Sequence, residues 1–307
     1  MAKSSLRPLN TVIVGLGSAG WKSDLNRPTK GQSHTFSLLT NPNYEVIAGV
    51  DINSKSRADW QKNFKIPVFS DVQSAIASLP CDLVVVATPM TELFPVLKSL
   101  LVQRKEFNII VEKPVLVNVI DFRELHQIAS TFSNRILVNL PRLFSPEMTT
   151  ISKYLINQHP EKVSGCYSGE YLNTCLHLIT LVNAVYPECN WKLQVKDNCN
   201  RLQIYRLGTM IGVIEKSKVN RGSSFDLRIQ TRRGILNYLE GGLDINFITA
   251  NSELKVENTR ETYQKNVYDF ISDYGWNTAI SMAGLQIILP SIANLFGITY
   301  EGLKMAD

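Results

Sequence analysis

Four short runs of aliphatic and β-branched residues recur in the first third of the chain, at Thr11–Val14, Tyr44–Val50, Leu83–Ala87 and Asn108–Val111. They are close to wholly apolar and lack the polar–apolar alternation of a half-exposed strand. Strands of this kind are buried on both faces. Between them lie stretches with helical periodicity: Ser33–Leu39 with Ser33 as candidate N-cap, Ser54–Phe64, Val72–Leu79 behind the cap candidate Asp71, and Thr91–Gln103. Buried strands joined by helices make a parallel sheet covered on both sides. The pattern predicts an α/β, doubly wound parallel sheet over residues 1–118.

The patterning changes after Asp121. Phe122, Leu125, Ile128, Ala129 and Phe132 mark an amphipathic helix, and Ile136–Asn139 is one more short strand. Further on, Phe225, Leu227 and Ile229 alternate with polar neighbours. Turn signals follow at Arg232-Arg233-Gly234 and Glu240-Gly241-Gly242, with strands expected at Ile235–Leu239 and Leu243–Phe247. Period-two patterning with hairpin punctuation predicts an open, antiparallel or mixed sheet. Trp276–Phe296 reads as a helix interrupted by Pro290. The second domain is therefore expected over 119–307, with the boundary near Val117–Asp121.

Composition narrows the partners. The 307 residues are 44% hydrophobic, and no apolar run approaches the roughly 20 residues of a membrane span. The apolar segment Val12–Val14 is too short for a signal peptide. The expectation is a cytoplasmic protein with no membrane partner. The net charge of +5 suits a mildly basic enzyme or one with an anionic ligand. The basic residues are scattered, so nucleic acid is not expected. The five cysteines include no C-x-x-C pair and the four histidines are far apart, so no metal is expected.

The sharpest local motif is "VIVGLGSAG". It sets Gly15, Gly17 and Gly20 as G-x-G-x-x-G directly behind the first strand, with Leu16, Ser18 and Ala19 completing the loop. After a strand and before a helix, this spacing points to a dinucleotide. The first glycine permits the turn, the second lets backbone N–H groups approach a pyrophosphate, and the third lets helix and strand pack closely. The second strand ends in Asp51-Ile52. A carboxylate there accepts hydrogen bonds from ribose hydroxyls and repels a 2′-phosphate, which favours NAD; Lys55 and Arg57 close behind keep NADP as the alternative.

One spacing departs from the pattern. Asp51 falls 31 residues after Gly20 instead of about 20. The excess is Trp21–Gln32, in which Pro28 and Gly31 disfavour helix. It reads as an inserted loop carrying Lys22, Arg27 and Lys30. It is either a solvated surface loop or a lid with anion contacts over the substrate.

The fourth strand ends abruptly in Glu112-Lys113-Pro114. Carboxyl ends of parallel strands face the ligand crevice of an open α/β sheet, so these charges emerge at the cleft. With the glycine loop, "VVVATP" (Val84–Pro89), "EKP", "NLPRLFSP" (Asn139–Pro146) and "GEYLNTCLHLITLV" (Gly169–Val182) in order, the chain resembles the glucose–fructose oxidoreductase, inositol dehydrogenase and MocA family up to about residue 185. The resemblance implies a Rossmann domain followed by an α/β domain on an open sheet. It implies NAD or NADP as cofactor, with hydride moving to or from a sugar, cyclitol or related carbonyl or alcohol. Lys113 would lie near the nicotinamide and the reacting oxygen, and His177 would exchange the proton. Ala87, Thr88 and Pro89 would line the cofactor. A homo-oligomer paired through the second sheet is a further implication.

The residues agree with that chemistry. Hydride arriving at a carbonyl carbon develops negative charge on oxygen, which an ammonium stabilises and an imidazole can protonate. Taken alone, His177 in its apolar segment would be a core histidine. Asn173 lies one helical turn before it, where the family often has Asp; it can orient a substrate hydroxyl but not ionise. Thr180 and Leu93 also stand where the family often carries ionisable groups. Arg142 is a candidate substrate contact or a surface arginine paired with Glu147. Two other functions fit the same motifs: a non-catalytic dinucleotide sensor, and an imine reductase of peptide-siderophore assembly.

Overall fold

The computed structural model describes residues 7–27, 31–102, 106–116, 118, 120–132, 134–196, 199–218, 224–258 and 262–296. The chain divides into two compact units. The first comprises Met1–Pro141 with Glu261–Ile287, and the second Arg142–Arg260 with Ile288–Asp307.

The first unit is built on a six-stranded sheet: β1 (Leu9–Val14), β2 (Tyr44–Val50), β3 (Val68–Phe69), β4 (Leu83–Val86), β5 (Asn108–Val111) and β6 (Ile136–Val138). Its order is β3-β2-β1-β4-β5-β6, and every pairing is parallel. The last four residues of β1, Thr11–Val14, and all of β4 are buried, as the unbroken apolar runs require. The helices are α1 (His34–Leu39), α2 (Ser54–Phe64), α3 (Val72–Ser78), α4 (Met90–Leu101) and α5 (Phe122–Thr131). Asn53 and Asp71 cap α2 and α3 by accepting the backbone N–H of Ser56 and Ser74. Within this sheet, β3 is the strand that sequence patterning missed, because two residues carry no periodicity.

The segment Trp21–Gln32 is an interruption of the first helix. After the glycines the chain makes one helical turn, with Trp21 and Lys22 donating N–H to Gly17 O, then a 3-10 turn at Lys22–Asp24. It returns at His34, whose N–H donates to Ala19 O at 2.9 Å, while Thr35 N–H donates to Gly20 O at 2.9 Å. The start of α1 is thus docked on the carbonyls that the first turn left open. The fully buried Asp24 carboxylate ties the ends together, accepting from Gly31 N, Gln32 N, Ser33 N at 2.7 Å and Ser33 Oγ at 2.6 Å. Ser33 occupies the N-cap position but makes no side-chain cap, since its hydroxyl donates to Asp24 instead. Trp21 is 2% exposed and its indole N–H donates to Leu16 O. The segment is therefore anchored at both ends, with Lys22 and Arg27 exposed; Lys30 lies outside the described residues. Asp24→Ala removes the acceptor from several buried donors, so a loss of about 2–3 kcal/mol is expected. Chemical denaturation measures it, and an unchanged midpoint would show the segment to be held by other contacts.

The expected boundary near Val117–Asp121 falls inside this unit. β6 pairs with β5 as the sixth strand, and the chain comes back to the unit at 261–287. There, α8 (Tyr263–Tyr274) donates the N–H groups of Gln264 and Lys265 to Gly31 O. The terminal helix breaks at Gly284, between α9 (Trp276–Ala283) and α10 (Leu285–Leu295), and Pro290 lies inside α10. Gly284 takes an extended ψ of 148° and bridges to Leu137. A Cβ there would sit 2.6 Å from Ile280 O, so this close approach sets the break and needs glycine.

The second unit carries an eight-stranded sheet: β7 (Lys162–Ser168), β8 (Cys189–Lys196), β9 (Cys199–Arg206), β10 (Thr209–Lys216), β11 (Ser224–Thr231), β12 (Gly234–Leu239), β13 (Asp244–Ile248) and β14 (Glu253–Lys255). The order is β14-β13-β12-β11-β7-β10-β9-β8, antiparallel except for β7 with β10. Its helices are α6 (Pro146–Leu155), capped by Ser145, and α7 (Tyr171–Val185). In β11, Phe225, Leu227 and Ile229 are buried, the face packed against α7. No helix among the described residues is long and apolar enough to cross a membrane, and no group of three acidic, His or Cys side chains there could hold a metal.

Candidate functional site

In the first unit, the sequence-predicted cofactor residues gather at the carboxyl ends of β1, β2, β4 and β5. Gly15 N–H donates to Val50 O, Ala87 N–H to Val14 O, and Glu112 N–H to Val86 O. Each loop therefore leaves the sheet at the same level. Gly15 has φ +96°, and a Cβ there would lie 2.5 Å from Ala87 O. A Cβ on Gly20 would lie 2.2 Å from Gly15 O. These two glycines are required by the fold itself. Gly17 differs: a Cβ there meets nothing within 4 Å. It borders open space at the mouth of the loop, where a pyrophosphate needs room beside the backbone.

Asp51 lies against this loop. Its Oδ2 accepts from Leu16 N at 2.8 Å and its Oδ1 from Asn53 N at 2.8 Å. Each oxygen keeps lone-pair capacity for a hydroxyl donor. Beside it Ile52 is 89% exposed, an apolar side chain fit to lie under a flat ring. On the opposite wall the Thr88 hydroxyl is buried with no hydrogen-bond partner. An unsatisfied buried hydroxyl has a proton to donate to a ligand. Open space at Gly17, the acceptor carboxylate of Asp51 and the unpartnered Thr88 together fit a dinucleotide. Arg57 donates to Asp51 O and Ile52 O, so this arginine is tied to the backbone of that turn.

Glu112 and Lys113 directly follow β5, with Pro114 behind a cis peptide bond. Glu112 is the centre of a polar cluster that sequence reading did not find. Its Oε1 accepts from Asn139 Nδ2 at 2.5 Å and lies 3.0 Å from His34 Nε2. His34 Nδ1 lies 2.6 Å from the Tyr268 hydroxyl, and Asn139 Nδ2 also donates to Gln264 Oε1 at 2.7 Å. Burial by itself would raise the Glu112 carboxyl. The hydrogen bond and charge of His34, the charge of Lys113 and the Asn139 amide outweigh it and hold the group below the usual range. Burial drives the Tyr268 hydroxyl well above its usual value. Only Asn139 lay within a quoted sequence motif; the separations of 78 and 234 residues leave no local signal for the others.

In the second unit, His177 and Asn173 lie one turn apart on α7. His177 is 7% exposed, and its ring stacks on Phe225 at a centroid distance of 6.3 Å. Phe225 in turn stacks on Tyr238 at 5.5 Å. The Arg142 guanidinium sits over the same Phe225 ring at 5.2 Å and donates to Gly241 O. Arg142 and His177 are thus brought onto one aromatic ring, a link the sequence did not reveal. Thr180 does not extend this group, because its hydroxyl donates to Leu176 O and His177 O within the helix. Leu93, 1% exposed, is a core residue.

Residues 9–140 match the model of the GFO_IDH_MocA oxidoreductase family, an NAD-binding Rossmann fold. No curated protein sequence matches the chain. Among solved structures, a dehydrogenase from Chromobacterium violaceum is similar at TM-score 0.76 and 15% identity, over 98% of each chain. A UDP-N-acetylglucosamine 3-dehydrogenase from Acidithiobacillus ferrooxidans is similar at TM-score 0.71 and 11% identity, over 95% of this chain and 97% of that one. A 3-ketoreductase from Actinomadura kijaniata, in complex with NADP, is similar at TM-score 0.69 and 10% identity, over 95% and 96%. At these identities the likeness carries the fold.

Proposed function

We propose, on the premise that residues 9–140 are the NAD-binding Rossmann domain of a GFO_IDH_MocA oxidoreductase, that this chain transfers a hydride between a nicotinamide dinucleotide and a sugar, sugar nucleotide or related carbonyl or alcohol. The observation that carries the reading is the emergence of Glu112-Lys113 at the same sheet edge as the open Gly17 and the ribose acceptor Asp51. The dinucleotide, when bound, supplies or accepts the hydride. The loop Gly15–Gly20 holds its phosphates through backbone N–H groups, and Asp51 accepts from its ribose hydroxyls. Ala87, Thr88 and Pro89 line the nicotinamide side.

Lys113 stabilises the charge that develops on the substrate oxygen during reduction. His177 gives a proton to that oxygen, or takes it in the oxidative direction. Asn173 orients a substrate hydroxyl. Arg142, held over Phe225, binds a hydroxyl or an anionic group of the substrate. The substrate class draws on two of the similar structures, one a sugar-nucleotide dehydrogenase and the other a 3-ketoreductase. Substrate binding and subunit pairing are assigned to the second unit.

The test follows nicotinamide absorbance with NADH or NADPH against a panel of keto-sugars, sugar nucleotides and cyclic imines. Turnover of a sugar substrate supports the reading. Turnover of imines alone, or of nothing while the cofactor binds, removes it. Cofactor choice has its own test. Asp51→Ser is expected to weaken NADH binding roughly tenfold, by loss of charge-assisted hydrogen bonds, and to shift preference toward NADPH by removing the repulsion of its 2′-phosphate. Fluorescence titration of both cofactors measures the ratio, and an unchanged ratio would place the ribose elsewhere.

A further inference from the structure

We propose that His34 and Tyr268 are positioning residues for this reaction: they fix the Glu112 carboxylate in one orientation and thereby hold Lys113 at the crevice. The inference rests on the reading of Lys113 given above and extends it to two side chains remote in sequence.

Two side chains converge on one carboxylate oxygen, and a third backs the first of them. His34 from α1 and the amide of Asn139 behind β6 both reach Oε1, at 3.0 and 2.5 Å. Tyr268 from α8 closes the far side of the imidazole at 2.6 Å, and its ring meets the imidazole edge-on. His34 and Tyr268 are both fully buried. Oε2 has no hydrogen bond among the described residues, and the Glu112 side chain is 18% exposed. The carboxylate is therefore gripped by one oxygen while the other is left available at the crevice.

The direction of the hydrogen bonds follows from the partners. An ionised Glu112 only accepts, so His34 Nε2 carries a proton. Tyr268 keeps its proton, because burial penalises the phenolate. It donates to Nδ1 of a neutral imidazole, or accepts from an imidazolium; in either form Nε2–H points at Glu112. The buried tyrosine opens no route to solvent, which makes the cluster a brace and not a proton wire. Gln264 steadies the second grip through Asn139, and the Tyr44 hydroxyl holds the Tyr268 carbonyl. A solely structural network would also satisfy its buried groups. What favours the brace is its convergence on the residue directly before Lys113. The charged and titratable groups around Glu112 are His34, Lys113 and Tyr268, with Tyr44 behind Tyr268.

The test has two readouts. The first titrates the Glu112 carboxyl by NMR in protein carrying ¹³C-glutamate, the signal being identified by its loss in Glu112→Gln. Tyr268→Phe, which removes one oxygen, is expected to raise the titration midpoint. His34→Phe is expected to raise it further, and His34→Gln, which keeps an N–H donor, to lie between His34→Phe and the parent. The second readout is the pH–rate profile. Tyr268→Phe is expected to lower kcat about two- to tenfold, the loss of one hydrogen bond, and to move the acid limb to higher pH, because the carboxylate is protonated sooner as pH falls. An unmoved Glu112 midpoint in Tyr268→Phe overturns the inference. So does a moved midpoint with a parental pH–rate profile. Should Lys113→Ala leave turnover intact, the reaction mechanism falls, whereas the carboxyl titration, which needs no substrate, still reads the brace on its own.

Discussion

Lys113→Ala should lower kcat by roughly 10²–10³-fold, the usual cost of removing one preorganised donor to a developing oxyanion, while NADH affinity changes only a few-fold. The expectation follows from where the lysine stands. β5 delivers its backbone to the crevice edge, and the preceding residue is held by His34 and Asn139. Its ammonium is the group assigned to the charge that appears only as hydride arrives, so its loss should fall on kcat more than on KM. The companion variant His177→Ala should cost about 10²–10⁴-fold, the range for a general acid or base. On the proposed mechanism, in which both groups serve the reacting oxygen, the two losses should be less than multiplicative. Steady-state kinetics of both single variants and the double variant measure this. Turnover that survives Lys113→Ala would place the chemistry elsewhere in the crevice.

The second large effect separates fold from binding within one loop. Gly17→Val should abolish detectable dinucleotide binding and leave the thermal midpoint close to that of the parent. Gly20→Ala should unfold or strongly destabilise the protein. The distinction is geometric. The space above Gly17 is open, so a side chain enters it at no cost to the fold and blocks the approach of a pyrophosphate. The space at Gly20 is filled by the Gly15 carbonyl 2.2 Å away, and the clash can be relieved only by moving the backbone. Overpacking of this kind typically costs about 1–3 kcal/mol, and more where backbone is the obstacle. Melting curves with and without NADH read both effects. Equal destabilisation by the two variants would mean that Gly17 also serves the fold.

Much of the first unit was legible in the sequence. Buried parallel strands have no solvent face, so their sequences become unbroken apolar runs, and β2 and β5 begin and end where those runs do. Asp71 lies three residues from the N–H group it caps, which makes capping a local signal. The glycine loop was legible because its constraints act within a few residues. The strands β8–β10 were not read, since Asn200 sets a polar residue on the face that Leu202 and Ile204 bury, and a register shift falls between Met210 and Gly212. Pro290 misled because a proline signals a helix end only when nothing else decides. Here Gly284, drawn into a bridge with Leu137, decides first.

The sequence by itself determined what depends on neighbours along the chain: the parallel sheet, the dinucleotide loop, the acid at the end of β2 and the lysine at the end of β5. Only the tertiary structure decided what depends on neighbours in space. It turned the Trp21–Gln32 insertion into an interrupted helix clasped by Asp24, placed Arg142 and His177 on one phenylalanine ring, and set His34 and Tyr268 behind Glu112. The physical reason is the same in each case. A buried polar side chain must find its partner wherever the fold supplies one, and across 234 residues no local propensity or period records that choice.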